Sequence, residues 1–196
     1  MTSTATMIRA HEATLGALAA VDLDEIGRAV SLLEKTYHCG GAVFCVGNGG
    51  SAATASHFAA DLGKYATGGA LGFRAMDLVG NYASHTAWTN DESWEATWTE
   101  MLRPWVRKGD VVVAFSVHGG SGWSSNLVRA LTYARETGAA TLGFSGDGGG
   151  MFGELCDVSV VVPTSEATLV TPITEGLHSV IAHLVVAELR RRIPAA

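Results

Sequence analysis

The chain has 196 residues, 47% of them hydrophobic and only 16% charged. That balance excludes a disordered segment, and the length suits one domain whose core needs no disulfide or metal for stability. Thirteen Lys and Arg against nineteen Asp and Glu leave a net charge of −6, which argues against a nucleic-acid or anionic-membrane binder acting through a basic face. Any phosphate bound here must be held mainly by backbone amides and hydroxyls.

Helical patterns at 4–20 and 22–38 open the chain, the second with Asp22 as its expected N-cap. A short apolar run at 41–47 reads as the first strand, and a helix follows at 50–65. A second run at 72–79 precedes a helix expected at 91–106. Runs at 110–116, 139–145 and 157–163 complete five strands, with a helix at 123–137 between the third and fourth. A long helix covers about 170–192 and ends on Arg190, Arg191 and Arg192, where positive charge complements the helix dipole.

Near-continuous apolar strands suit a parallel sheet covered on both faces. Their alternation with helices predicts an α/β fold, a three-layer sandwich with a five-stranded parallel sheet and flavodoxin-like topology. The expected organisation is one unit over 1–196: two helices (4–38), an α/β core (41–163) and the C-terminal helix (170–192). Cys39, Cys45 and Cys156 lack metal-ligand spacing and read as small buried thiols in a reducing compartment. No basic start precedes an apolar run at the N-terminus, and no apolar stretch reaching about 18 residues is expected, which points to a cytoplasmic protein. Trp94, Trp98 and Trp105 are spaced as a helical stripe for core or subunit packing.

Ligands of such sheets bind at the carboxyl ends of the strands, where two unusual segments fall. Asn48, Gly49, Gly50 and Ser51 leave the first strand and enter a helix, a turn that offers free N–H groups to an anion. It lacks the dinucleotide glycine spacing and a Walker lysine. The segment 116–126 holds Ser116, Ser121, Ser124 and Ser125 with three glycines, and reads as a phosphate cradle or as a solvated turn with Ser caps. Trp123 lies inside it, to line a sugar pocket or to support structure.

His57 and Asp61 are four apart on a largely apolar helix, so they share a face. They read as a solvent-facing pair, or as groups that bind a metal or divide proton transfers. In the C-terminal helix Glu175 and His183 lie eight apart on one stripe, with His178 only approximately on that side.

These segments resemble a known family. GNGGSAATASHFAADL is similar to the GNGGS…HFAxEL segment of bacterial phosphoheptose isomerases, members of the sugar isomerase (SIS) domain family. Asn90-Asp91 resembles the family's GND element, SGWSSNLVRAL its SGNSxNVxxAI, and GLHSVIAHLVVAEL its terminal QExH…H helix. The resemblance implies a sugar-phosphate aldose–ketose isomerase, a homotetramer with sites near subunit contacts, and a bound Zn2+. It places metal ligands on His57, Asp61, Glu175 and His183. Phosphate contacts fall on Ser51, Ser116, Ser121 and Ser124, and sugar contacts on Asn48 and Asp91. Asp61 is the expected base and His183 its partner, with the roles exchangeable. The alternative is a non-catalytic SIS module that binds a sugar phosphate or a protein.

Three departures stand out. His118-Gly119-Gly120 is inserted before Ser121, or His118 replaces a serine; Asp61 stands where the family has Glu; and Glu175 stands where it has Gln. They imply a substrate other than the standard heptulose, such as a longer ketose phosphate of specialised metabolism.

Overall fold

The computed structural model describes residues 3–146, 148–164 and 166–194. Helices α1 (Ser3–Ala19) and α2 (Leu23–His38) come first. Asp22 caps α2 as expected, its Oδ1 accepting from the Asp24 and Glu25 amides at 2.8 and 3.4 Å. The core then runs β1 (Ala42–Gly47), α3 (Gly50–Lys64), β2 (Arg74–Asp77), α4 (Tyr82–Asp91), α5 (Thr97–Leu102) and β3 (Val111–Ser116). It continues with α6 (Ser125–Glu136), β4 (Ala140–Ser145), α7 (Phe152–Leu155), β5 (Val158–Val161) and, after a single 3-10 turn, α8 (Val170–Arg192).

The five strands form one all-parallel sheet in the order β2-β1-β3-β4-β5. The expected α/β sandwich is therefore present. Side chains of β1 and β3 point alternately to the two faces, and both faces are apolar. Val43, Cys45, Val111, Val113 and Phe115 meet α2, α3 and α8 on one side; Phe44, Val46, Val112 and Ala114 meet α5 and α6 on the other. Burying each large apolar side chain contributes about 1.5–3 kcal/mol, so the central strands anchor both layers.

Three expectations need correction. No helix spans 91–106: α4 ends at Asp91 and α5 starts at Thr97. Ser93 marks this break, because its Oγ accepts from the Ala96 amide and its carbonyl accepts from Thr97 Oγ1 before α5. The tryptophan stripe dissolves with it: Trp98 is buried in α5, whereas Trp105 lies beyond the helix and is 54% exposed. The second run is a short edge strand with alternating exposure, not a buried one, since Arg74 and Met76 face outward.

Two smaller corrections follow. Cys39 is exposed while Cys45 is buried, and burial beside Asp77 pushes the Cys45 thiol well above its ordinary range. By length and composition, α8 with its leading turn is long and apolar enough to cross a membrane, with a mean hydropathy of 1.4. Its apolar residues serve the core instead, with Ile173, Leu177, Ile181, Val185 and Leu189 packed on the sheet and neighbouring helices. At its end Arg192 pairs with Glu188 and Glu34, tying α8 to α2.

Candidate active site

The loop leaving β1 turns sharply at Gly49, whose φ of 56° and ψ of −126° no side-chain-bearing residue adopts easily. That turn starts α3 at the carboxyl edge of the sheet, beside the loop leaving β3. Between the two lies a cavity of about 310 Å³. Ser51, Ser116 and Ser124 line it together with Asn48, Glu175 and His118. Ser124 stands at the N-cap position of α6 yet its side chain accepts from no backbone amide, which leaves its hydroxyl for a ligand. Lys and Arg are missing from the lining, and Glu175 and His118 are its ionisable side chains among the described residues. Hydroxyls and the N-termini of α3 and α6 are thus the groups that could hold an anion here.

α8 crosses α3 where α3 is rich in alanine, and small side chains let the two helices approach. His57 and Asp61 on α3 then face His183 on α8. Asp61 Oδ2 lies 3.5 Å from Nε2 of His57 and 3.5 Å from Nε2 of His183. The two imidazoles meet edge to face, with centroids 4.9 Å apart at 77°. One ligand atom from each of the three lies within 4.8 Å of the others. Ligand atoms around a tetrahedral zinc at about 2.0–2.1 Å sit about 3.4 Å from one another, so the 3.5 Å contacts suit co-ligands of one ion. Two imidazole nitrogens and a carboxylate are a donor set for zinc with a further position open. Both imidazoles are more than half exposed and Asp61 is about one quarter exposed, so solvent reaches the cluster.

Glu175 does not join the three. Its carboxylate lies over Gly50 at the N-terminus of α3, where a Cβ added to Gly50 would meet both its oxygens at 2.6 Å. The positive end of the α3 dipole holds it there. Glu175 instead separates two spaces: it lines the serine cavity and also a neighbouring cavity of about 440 Å³ that contains His57.

Two other expected contacts fall outside. Asp91 is exposed at the end of α4, accepting a hydrogen bond from Asn90 Nδ2 at 2.7 Å, and does not line the serine cavity. Ser121 is exposed and also absent from the lining, because its amide closes a turn onto the His118 carbonyl. That turn pushes His118 and Trp123 to the cavity mouth, ring centroids 6.3 Å apart at 33°. Both Gly119 and Gly150 have positive φ, and each packs backbone to backbone on the other's loop so closely that no Cβ fits.

Sequence reasoning missed Asn126, a fully buried residue whose carboxamide pairs with that of Asn48. Its position two residues into the helix after Ser124 was the available signal.

The family profile of the SIS domain matches residues 8–146. The chain is 32% identical over 177 residues to the phosphoheptose isomerase of Aliarcobacter butzleri, covering 90% of this chain and 89% of that protein. It belongs to the SIS-domain phosphoheptose isomerase family. A second relative, the lincomycin biosynthesis protein LmbN of Streptomyces lincolnensis, is 42% identical over 164 residues, covering 82% of this chain. This SIS-domain chain spans 60% of that relative's length. The phosphoheptose isomerase structure from Francisella tularensis shares the fold with a TM-score of 0.87 at 21% identity, over 97% of this chain and 100% of the other.

Proposed function

We propose that the chain interconverts a ketose phosphate and an aldose phosphate through an enediol, with a heptulose or octulose phosphate as the ketose. One observation carries this reading: a single carboxylate oxygen of Asp61 faces two imidazoles at 3.5 Å, one cavity away from an anion cradle. The phosphate sits among Ser51, Ser116 and Ser124, and its remote binding energy positions the reacting end. Glu175, which lines both spaces, accepts hydrogen bonds from hydroxyls of the intervening sugar.

Asp61 Oδ2 is the oxygen that faces the imidazoles, at 3.5 Å from each, which leaves Oδ1 to meet the substrate. Oδ1 takes the proton from the carbon beside the carbonyl and returns it to the former carbonyl carbon, while His183, whose Nε2 faces Asp61, moves a proton between the two substrate oxygens through Nδ1. His57 and Asp61 keep one another in register through their one-turn spacing. His57, Asp61 and His183 would hold a zinc ion, and its chemistry there would be to polarise the carbonyl and the adjacent hydroxyl.

A role in specialised metabolism is supported by the higher identity to the lincomycin biosynthesis protein, 42% against 32% for the phosphoheptose isomerase. Exposed apolar side chains on α1 (Met7, Ile8, Leu15) and α8 (Val180, Leu184) support burial against further copies of the chain in a homotetramer. Deuterium incorporation at carbon 1 of heptulose and octulose phosphates, and at carbon 2 of the aldose formed from them, in heavy water tests the reaction. Exchange by the intact protein, reduced about 100- to 10,000-fold in Asp61→Asn and lost on chelation until zinc is restored, is expected. Absence of exchange across the panel leaves a binding module instead.

A further inference from the structure

Asn48 of the β1–α3 loop and Asn126 of α6 face each other as a reciprocal pair of carboxamides. Asn48 Nδ2 donates to Asn126 Oδ1 at 2.9 Å, and Asn126 Nδ2 donates to Asn48 Oδ1 at 3.0 Å. A carboxamide turned by 180° would exchange oxygen and nitrogen, but groups that can only donate fix both here. The Trp98 indole Nε1–H reaches Asn48 Oδ1 at 3.2 Å, and the Leu127 backbone N–H reaches Asn126 Oδ1 at 2.9 Å. Asn126 is 0% and Trp98 1% exposed, so water does not compete for these bonds.

The consequence for Asn48 is an uneven one. Its oxygen has two lone pairs and accepts two hydrogen bonds, so its acceptor capacity is spent. One of its two N–H groups is used as well. The remaining N–H has no partner among the described residues, and Asn48 lines the serine cavity. We infer that Asn126 and Trp98 are positioning residues that hold Asn48 as a one-way donor to an acceptor oxygen of the bound sugar phosphate, and lock the two ligand-binding loops in register.

This rests on the reading of the cavity as a sugar-phosphate site. Turning the Asn48 carboxamide over to accept from a substrate hydroxyl would set two donors, Trp98 Nε1–H and Asn48 Nδ2, against each other. Asn126→Asp forces the converse conflict, two acceptors facing one another, since its carboxylate has no donor for Asn48 Oδ1. Loss of the clamp removes an interaction made equally in ground and transition states, which raises KM with kcat unchanged.

The test measures KM and kcat for sedoheptulose 7-phosphate, and its Kd by calorimetry, in the full chain and in Asn48→Ala, Asn126→Ala, Asn126→Asp and the Ala/Ala double variant. Each single variant is expected to raise KM and Kd about tenfold or more with kcat within threefold. The double variant is expected to be no worse than Asn48→Ala alone, because both act through one group. Trp98→Phe, which removes the indole N–H, should shift KM the same way by less, and serves if the Asn126 variants fail to fold. Leu33→Ala, remote in the α2 core, should lower Tm and leave KM alone.

Additive single effects, an unchanged KM in Asn126→Asp, or an equal rise in Leu33→Ala would overturn the clamp. Wild-type protein that binds sedoheptulose 7-phosphate but turns over no member of the heptulose and octulose phosphate panel would overturn the isomerase reading, while Kd still reports on the clamp.

Discussion

Lowering the pH should destabilise the protein through His178. This residue on α8 has no exposed surface, lies edge-on to Phe115 and Phe144 with centroids 5.9 and 6.2 Å away, and neither ring nitrogen makes a hydrogen bond of good geometry. Burial pushes its pKa from the ordinary 6.5 down to about 4, and the Ser145 backbone beside it offsets little of that. Between pH 6.5 and 4 the unfolded chain therefore binds the proton that the folded chain refuses. Stability is fully present above pH 6.5 and falls as pH drops through this window. At about 1.4 kcal/mol per pH unit, the loss by pH 4 approaches about 3 kcal/mol, a large part of an ordinary stability of about 5–15 kcal/mol.

Urea unfolding at pH 7, 6, 5 and 4 reads this directly. With a slope of about 2 kcal/mol per molar urea, the wild-type midpoint should fall by about 1.5 M from this group alone. His178→Leu carries no proton and no unpaired buried nitrogen, so its midpoint should fall by that much less. Parallel pH dependences in the two proteins, or a His178 NMR titration centred near 6.5, would refute the reasoning.

The remaining predictions concern the cavity. Glu175→Gln keeps an acceptor and removes a negative charge that shares the cavity with the phosphate. KM should fall about fivefold (~1 kcal/mol) at low ionic strength, and the gain should shrink in salt; an unchanged or higher KM at low salt counts against this. Gly119→Ala places a side chain at a φ of 55° and against the Gly149 carbonyl. Melting and KM assays should show a loss of about 2 kcal/mol or more and weaker substrate binding, and wild-type values in both would mean that the serine loop does not depend on this contact.

Much of the architecture was legible in the sequence for a simple reason. Strands buried on both faces, such as 111–115, are apolar throughout and too short to be read as helices. The pairing of His57 with Asp61 was equally legible, because four residues along a helix are neighbours whatever surrounds them. His183 lay on the right stripe, but only packing of α8 on α3 decides that it meets Asp61 while Glu175 stops at Gly50. Likewise the break between α4 and α5 goes with hydrogen bonds that Ser93 accepts from the Ala96 amide and Thr97 Oγ1, which a periodic pattern does not reveal. Asn126 resembled an ordinary polar residue of a first helical turn, and its partner is 78 residues away.

The contact between Gly119 and Gly150 also constrains how such a protein can change. A longer or bulkier connection after the third strand has nowhere to go unless the one after the fourth yields at the same time. Transplanting a relative's cradle into this chain should therefore succeed only when its neighbouring segment is carried across with it, so the two behave as one inherited module.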